Sequence, residues 1–377
     1  MANKNYLSYT SWARKVALKY PFFTSVSIQM NFWTIGYILM FLIVFLGLNG
    51  ITKNMGLELP LHFGPPLIMA VFLGLNYGFI IGTVYYLLDK RFFRNKPLWL
   101  VIFLQALISM VVLLTLVFIT RTYIFERAVG FFSKTNLFDE SLEGWPYLVS
   151  LILLYTFMMT LLISFINQMN RKFGPGILIP MLIGRFRNPR EEERVFMFLD
   201  LNNSTALAEK LGHVQYSSFV RDCFQEINNV VQKFLAEIYQ YVGDEIVLTW
   251  NTNEAIENSR VLDFYFSCQE RFENKKEYFL TKYSEYPEFK AGAHLGVVTV
   301  VEVGDIKRDL AYHGDTLNVA ARLEKLCKTH NSDLIISNSV LDKIDHNQNY
   351  TFLDLGLQNL KGRKSALKAY SVKIKLD

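Results

Sequence analysis

The sequence predicts a multi-domain protein in which an all-α transmembrane bundle of four helices precedes an α/β domain. Three observations carry this reading. Apolar residues fill 51% of the 377 positions and charged residues 19%, below the roughly 25% of an ordinary soluble domain. Charge is divided unevenly: residues 1–190 hold 17 Lys and Arg against 6 Asp and Glu, whereas residues 191–377 hold 22 against 28. The basic half is also the apolar half. That pattern excludes a disordered chain, and it fits a membrane domain with basic flanks better than a nucleic-acid binder.

Four segments reach the ~20 apolar residues that a bilayer requires: Asn31–Asn49, Pro66–Leu88, Leu98–Thr120 and Tyr147–Ile166. Residues 1–30 then form an N-terminal arm and 31–166 the membrane domain. The first span starts too deep for a signal-peptide core and reads as a retained helix. Basic residues cluster in the arm (Lys4, Arg14, Lys15, Lys19), in the second loop (Lys90, Arg91, Arg94, Lys96) and after the fourth span (Arg171, Lys172, Arg185, Arg187). The other two loops hold Lys53, and Arg121, Arg127 and Lys134. The positive-inside rule therefore predicts four spans in the plasma (inner) membrane with both termini cytoplasmic. No span carries an acidic residue, which gives little support to a pump or transporter. Asn76, the one amide in mid-span, reads as glue between helices. The loop 121–146 suits either an external cap or a plain connector.

Residues 167–193 form the expected coupling linker. Gly174, Pro175, Gly176, Pro180, Gly184 and Pro189 break it into short pieces, so no continuous coiled coil leaves the membrane. From residue 194 onward, strand and helix patterns alternate. Arg194–Leu201 (RVFMFLDL) reads as a buried strand, and helices are expected over 203–211 and 216–235. Residues 236–250 read as strand, Gly243–Asp244 turn, strand. Helix 261–283, strand 289–303, helix 315–329 with Asp315 or Thr316 as its N-cap, strand 334–336 and two strands in 352–374 complete one sheet. Cys223, Cys268 and Cys327 lie far apart, as reduced cytosolic thiols do, and no His/Cys spacing suits zinc.

Asp200 and Asp244 stand where strands end. Two such carboxylates on adjacent strands suit divalent ions bound to a polyphosphate, although Gly-Asp is also ordinary turn chemistry. Asn318 and Arg322, four apart on a helix, share one face. They suit a ribose and a phosphoryl group, or simply a solvated surface. In order, FLDLNNST, YVGDEIVLTW, AYHGDTLNVAARLE and LKGRKSALKAYSV resemble the class III nucleotide cyclases, the adenylate and guanylate cyclase catalytic domain. The resemblance covers about Glu193–Ile374, essentially the whole soluble half.

That resemblance implies a ferredoxin-like, palm-type α/β fold over 194–377. It implies that Asp200 and Asp244 hold two Mg²⁺ or Mn²⁺ ions, joined by the Leu201 carbonyl. Asn318 would orient the ribose and Arg322 would stabilise charge on the α-phosphate. Lys361 would bind the terminal phosphates, Lys307 or Arg308 falls near another phosphate position, and the backbone of Asn203, Ser204 and Thr205 would cradle phosphate. The implied activity is that of a membrane-anchored adenylate cyclase making cyclic AMP and pyrophosphate from ATP. A homodimer is implied as well, with the aspartates from one chain and Asn/Arg from the other. At the two base-reading positions stand Gln240 and Ala311, which match neither the adenylate (Lys with Asp, Thr or Ser) nor the guanylate (Glu with Cys) pattern. A Gln amide pairs with either purine, or with a pyrimidine edge. A guanylate or other-nucleotide cyclase, a diguanylate cyclase suggested by YVGDEIV, and a silent membrane scaffold stay open.

Overall fold

The computed structural model describes residue 16 and residues 20–56, 63–88, 96–119, 145–173, 178–344, 349–360 and 365–375. Two compact units share them, one within Lys15–Pro175 and one within Gly176–Asp377. Most of the basic residues behind the topology reading (Lys4, Arg14, Lys15, Lys19, Lys90, Arg91, Arg94) lie outside the described residues, as do loop positions 121–144 and Lys361.

The first unit holds α1 (Pro21–Asn54), α2 (Gly64–Leu88), α3 (Leu98–Ile119) and α4 (Trp145–Phe173). All four are long and apolar enough to cross a membrane. Two run past the expected spans. α1 opens ten residues earlier, at Pro21, because proline's preset φ suits a first helical turn. α4 continues through the polar NQMNRKF to Phe173, just before Gly174–Pro175. Glycines set the α1–α2 contact. A Cβ on Gly74 or Gly78 would lie 2.5 Å from the Cα of Thr34 or Met30, so only glycine lets these backbones close. Polar groups bond across the bundle: the Tyr77 hydroxyl donates to the Ser109 carbonyl (2.9 Å), Ser109 and Thr160 hydroxyls pair (2.7 Å), and Ser164 donates to Gln105 Oε1 (2.9 Å). Asn76 is not part of this glue. Its side chain is exposed and donates to the Phe72 carbonyl of its own helix at 2.8 Å.

The second unit is an eight-stranded sheet in the order β2-β3-β1-β4-β6-β8-β7, with β5 on β4. The strands are β1 (Arg190–Leu201), β2 (Glu237–Val242), β3 (Glu245–Asn251), β4 (Phe289–Val303), β5 (Asp309–His313), β6 (Leu334–Ser337), β7 (Tyr350–Gln358) and β8 (Leu367–Ile374). Among the described residues only β4 and β6 pair in parallel. The helices are α5 (Leu178–Leu182), α6 (Ser204–Val231), α7 (Thr252–Ile256), α8 (Arg260–Asn274), α9 (Lys276–Tyr283), α10 (Asp315–Thr329) and α11 (Asn338–Leu341). Gly212 (φ 71°, ψ 161°) kinks α6 where the sequence predicts two helices.

β1 explains the layering. Val195, Met197 and Leu199 pack among residues of α6, α8 and α9, while Phe196 packs with Val298 and, on α10, Ala320. A strand covered on both faces is apolar throughout, hence RVFMFLDL. β1 also starts four residues before the expected boundary, because Arg190–Glu193 pair in register with Val300–Val297 of β4. These charged residues extend the ladder beyond the core, where hydropathy no longer marks a strand. The expected side-chain cap of α10 is absent. Gly314 is the N-cap residue, and the Thr316 hydroxyl donates instead to the Val297 carbonyl (2.8 Å), tying the helix to β4.

Candidate active site

Asp200 is the penultimate residue of β1 and sits opposite Lys290 of β4. The chain then turns sharply. The Asn202 amide donates to the Glu288 carbonyl (2.8 Å), Asn203 adopts φ 55°, and α6 begins at Ser204. Asparagine tolerates this left-handed conformation better than most residues. The turn brings the N-terminus of α6, whose first amides have no intrahelical partner, into the same cavity as Asp200. Asp200, Leu201, Asn203, Ser204 and Thr205 all line one cavity of about 430 Å³.

Asp244 occupies the predicted two-residue turn between β2 and β3, after Gly243 at φ 63°. It is electrostatically coupled to Asp200: burial, then the Asp244 charge, raises the Asp200 pKa. Two further carboxylates join them. Burial first, then Asp200, pushes Glu245 and Glu324 up to about 7. Glu324 comes from α10 and lines the Asp200 cavity together with Lys290, Lys325 and Lys328. The sequence reading missed these residues. Glu245 and Glu324 lie inside the YVGDEIVLTW and AYHGDTLNVAARLE segments without a role assigned there, and only the β1–β4 register and the seating of α10 gather Lys290, Glu324, Lys325 and Lys328.

Burial and mutual repulsion raise these carboxyl pKa values even though nearby lysines lower them, and hard oxygen donors are what Mg²⁺ and Mn²⁺ prefer. The residues therefore fit such an ion. Among the described residues, no three His, Cys, Asp or Glu side chains converge as a ligand set. Asp200 and Asp244 would hold an ion together with backbone and phosphate oxygens.

Asn318 and Arg322 do share a face of α10, as predicted, but neither lines the Asp200 cavity. Asn318 is exposed. Arg322 is half-buried, and its Nη1 is buried with no hydrogen-bond partner, an orphan donor of the kind a ligand satisfies. Lys307 and Arg308 sit in the β4–β5 turn, where they pair with Asp309 (3.0 Å) and Glu302 (3.7 Å). From Lys290 to that turn is on the order of 40 Å of strand, so the chain does not bring them to Asp200.

Gln240 is exposed on β2, beside a register shift between Ile238 and Gln240. The bulge puts Gln240 opposite Val247, on the α10 face of the sheet. Ala311 lies on β5, paired with Val301. The two strands meet next to these residues: the Tyr312 amide donates to the Tyr239 hydroxyl (3.4 Å), and their rings pack at 5.1 Å. Arg194 stacks on Tyr312 (5.2 Å) and bonds Glu237 of β2 (2.5 Å), which braces the same corner.

The sheet thus carries coupled carboxylates at a strand lip beside a helix N-terminus, with Asn318 and Arg322 on a separate part of α10. Residues 187–374 match the family model described as the adenylate and guanylate cyclase catalytic domain. Over this segment the chain belongs to that family, the class III nucleotide cyclases. It is 33% identical over 210 residues to Adenylate cyclase 2 of Rhizobium meliloti (strain 1021), covering 56% of this chain and 58% of that protein. It is 30% identical over 187 residues to Adenylate cyclase 1 of the same organism, covering 48% and 27%. The chain thus spans little more than half of the first relative and about a quarter of the second. A bacterial light-regulated adenylyl cyclase superposes with a TM-score of 0.49 at 19% identity, over 62% of this chain and 66% of that one.

Proposed function

We propose that the protein is a membrane-anchored adenylate cyclase, converting ATP to 3′,5′-cyclic AMP and pyrophosphate with two Mg²⁺ or Mn²⁺ ions. The observation that carries this reading is the coupling of Asp200 to Asp244 and Glu324 beside the α6 N-terminus. The metals supply Lewis-acid activation of the ribose 3′-hydroxyl and charge neutralisation on the triphosphate. Asp200, Asp244 and the Leu201 carbonyl hold them. The backbone amides of Asn203, Ser204 and Thr205 donate to phosphate oxygens, with Lys361 as a further phosphate contact. Asn318 orients the ribose, and Arg322 places its guanidinium against the α-phosphate as charge builds there.

Two chains make one site. The aspartate cavity and the Asn318–Arg322 face do not converge within a protomer, and a C₂ dimer sets one against the other twice. Residues 31–166 are the membrane domain, 167–193 couple it to the catalytic domain, and both termini face the cytoplasm of a plasma (inner) membrane. ATP is the substrate favoured by the two adenylate cyclase relatives. The free Gln240 amide, with Ala311 contributing no hydrogen bond, supports a second reading in which GTP or another nucleotide is used.

The test is product analysis by mass spectrometry. Full-length protein in detergent is incubated with each of ATP, GTP, CTP and UTP, with Mg²⁺ and then Mn²⁺, beside an Asp200→Ala control. Cyclic AMP from wild type only is the expected result. Cyclic GMP or a pyrimidine product moves the substrate, and no product from any nucleotide favours a silent scaffold.

A further inference from the structure

The proposed cyclase needs two copies of the chain, and the inference that follows rests on that reading: it concerns where the membrane halves meet. Asn76 is the midpoint of α2, so its amide sits near the middle of any bilayer that the helix spans. Its side chain is exposed, and its hydrogen bond to the Phe72 carbonyl uses one amide hydrogen. Among the described residues nothing pairs with Oδ1 or the second hydrogen. A primary amide with an open donor and an open acceptor is costly against hydrocarbon.

The residues around it form a seam. Phe72, Asn76, Phe79 and Thr83 follow a four-three-four spacing, the repeat of two helices packed side by side in a left-handed pair. Phe72 and Phe79 are each 51% exposed, and Met69, one step earlier in the same repeat, is half-buried. The opposite side of α2 (Gly74, Tyr77, Gly78, Ile81) is the one buried within the protomer. Thr83, like Asn76, bonds only to its own helix, at the Phe79 carbonyl (2.8 Å). An asparagine at one core position of such a seam is the device that sets register and pair number in coiled coils. An amide is also self-complementary. Across a two-fold axis each Asn76 donates its free hydrogen to the other's Oδ1.

We infer that this outer face of α2, centred on Asn76, is the contact between two copies of the chain within the membrane.

Cysteine cross-linking of the full-length protein in native membranes tests it. The three native cysteines are all buried, so background is low. Asn76→Cys, oxidised with copper phenanthroline, is expected to form a covalent dimer. Leu154→Cys, 58% exposed on α4, is expected to stay monomeric at the same dose. Asn76→Leu should lower the dimer fraction on dilution in detergent about fivefold, with Asn76→Gln restoring part of it. Cyclase activity is assayed on the same membranes. Active membranes in which Asn76→Cys does not cross-link place the interface elsewhere and leave the cyclase reading standing. Cross-linking in membranes that make no cyclic nucleotide keeps this surface and removes the reading beneath it. An adduct of any mass other than twice the chain, or an unchanged dimer fraction in Asn76→Leu, overturns the inference.

Discussion

Gly292 and Glu324 touch through their backbones: a Cβ on Gly292 would lie 2.1 Å from the Glu324 amide nitrogen and 2.4 Å from the Ala320 carbonyl oxygen. This contact seats α10 on β4. One helix thereby presents Glu324 to the Asp200 cavity while carrying Asn318 and Arg322 elsewhere. Gly292→Ala must push α10 off the sheet. It is expected to cost about 1–3 kcal/mol and to depress activity with it. A thermal melt checks this, and an unchanged Tm would show that the close approach is not structural.

The carboxylate cluster predicts a pH dependence. Burial and neighbouring charge hold Glu245 and Glu324 at about 7, above their ordinary 4.5. A raised carboxyl pKa means that the folded state holds protons the unfolded state has lost. Stability is therefore complete below about 4.5 and falls as pH rises through 7. Metal-free protein in EDTA should show Tm declining across that window, and Glu324→Gln should flatten the decline. Mg²⁺ should raise Tm more at about pH 8 than at about pH 6, because deprotonated carboxylates bind it. The same slope with and without Glu324 would remove that residue from the cluster.

Lys325 and Lys328 line the cavity from α10 and are exposed at the surface. On the proposed reading they meet the released pyrophosphate or the triphosphate tail. Lys325→Ala with Lys328→Ala should raise KM for metal-ATP and weaken pyrophosphate inhibition about tenfold, with little change in Tm. Steady-state kinetics decide. Unaltered constants would assign these lysines to solvent.

On the proposed reading, Gln240 is one of the two base-reading positions, and its side chain is exposed. Replacing its amide with a carboxylate removes the donor to adenine N1 and supplies an acceptor for guanine N–H groups. Gln240→Glu should shift the ATP-to-GTP ratio of kcat/KM toward GTP by roughly tenfold, the scale of one hydrogen bond. A ratio that stays put would mean that the Tyr239–Tyr312 corner, not Gln240, reads the base.

Much of this architecture is legible in the sequence, for identifiable reasons. Four apolar spans, RVFMFLDL, the Gly243–Asp244 hairpin and the Asp315–Thr329 helix have local signatures: length, unbroken β-formers, turn chemistry and helical period. Arg190–Glu193 were missed as strand because their partners on β4 lie about a hundred residues away, beyond the apolar core. Asp309–His313 of β5 was missed because five residues flanked by charge leave no pattern. Asp200, Asp244 and Glu324 lie inside the recognisable motifs, but that Glu324 joins Lys290, Lys325 and Lys328 in the Asp200 cavity follows only from register and packing. Asn76 is visible as an amide in mid-span, but the side of the bundle it faces depends on which side the glycines take.

The central claim is that each active site is assembled from two chains, and complementation tests it most directly. Asp200→Ala and Arg322→Ala are made separately, each confirmed as folded and dimeric, and then co-expressed. Each variant alone should be inactive. Together, half of randomly paired dimers carry one intact site of two, so activity should return to about a quarter of wild type. Variants that stay silent together, or an Asp200→Ala protein that still makes cyclic nucleotide by itself, would contradict the account.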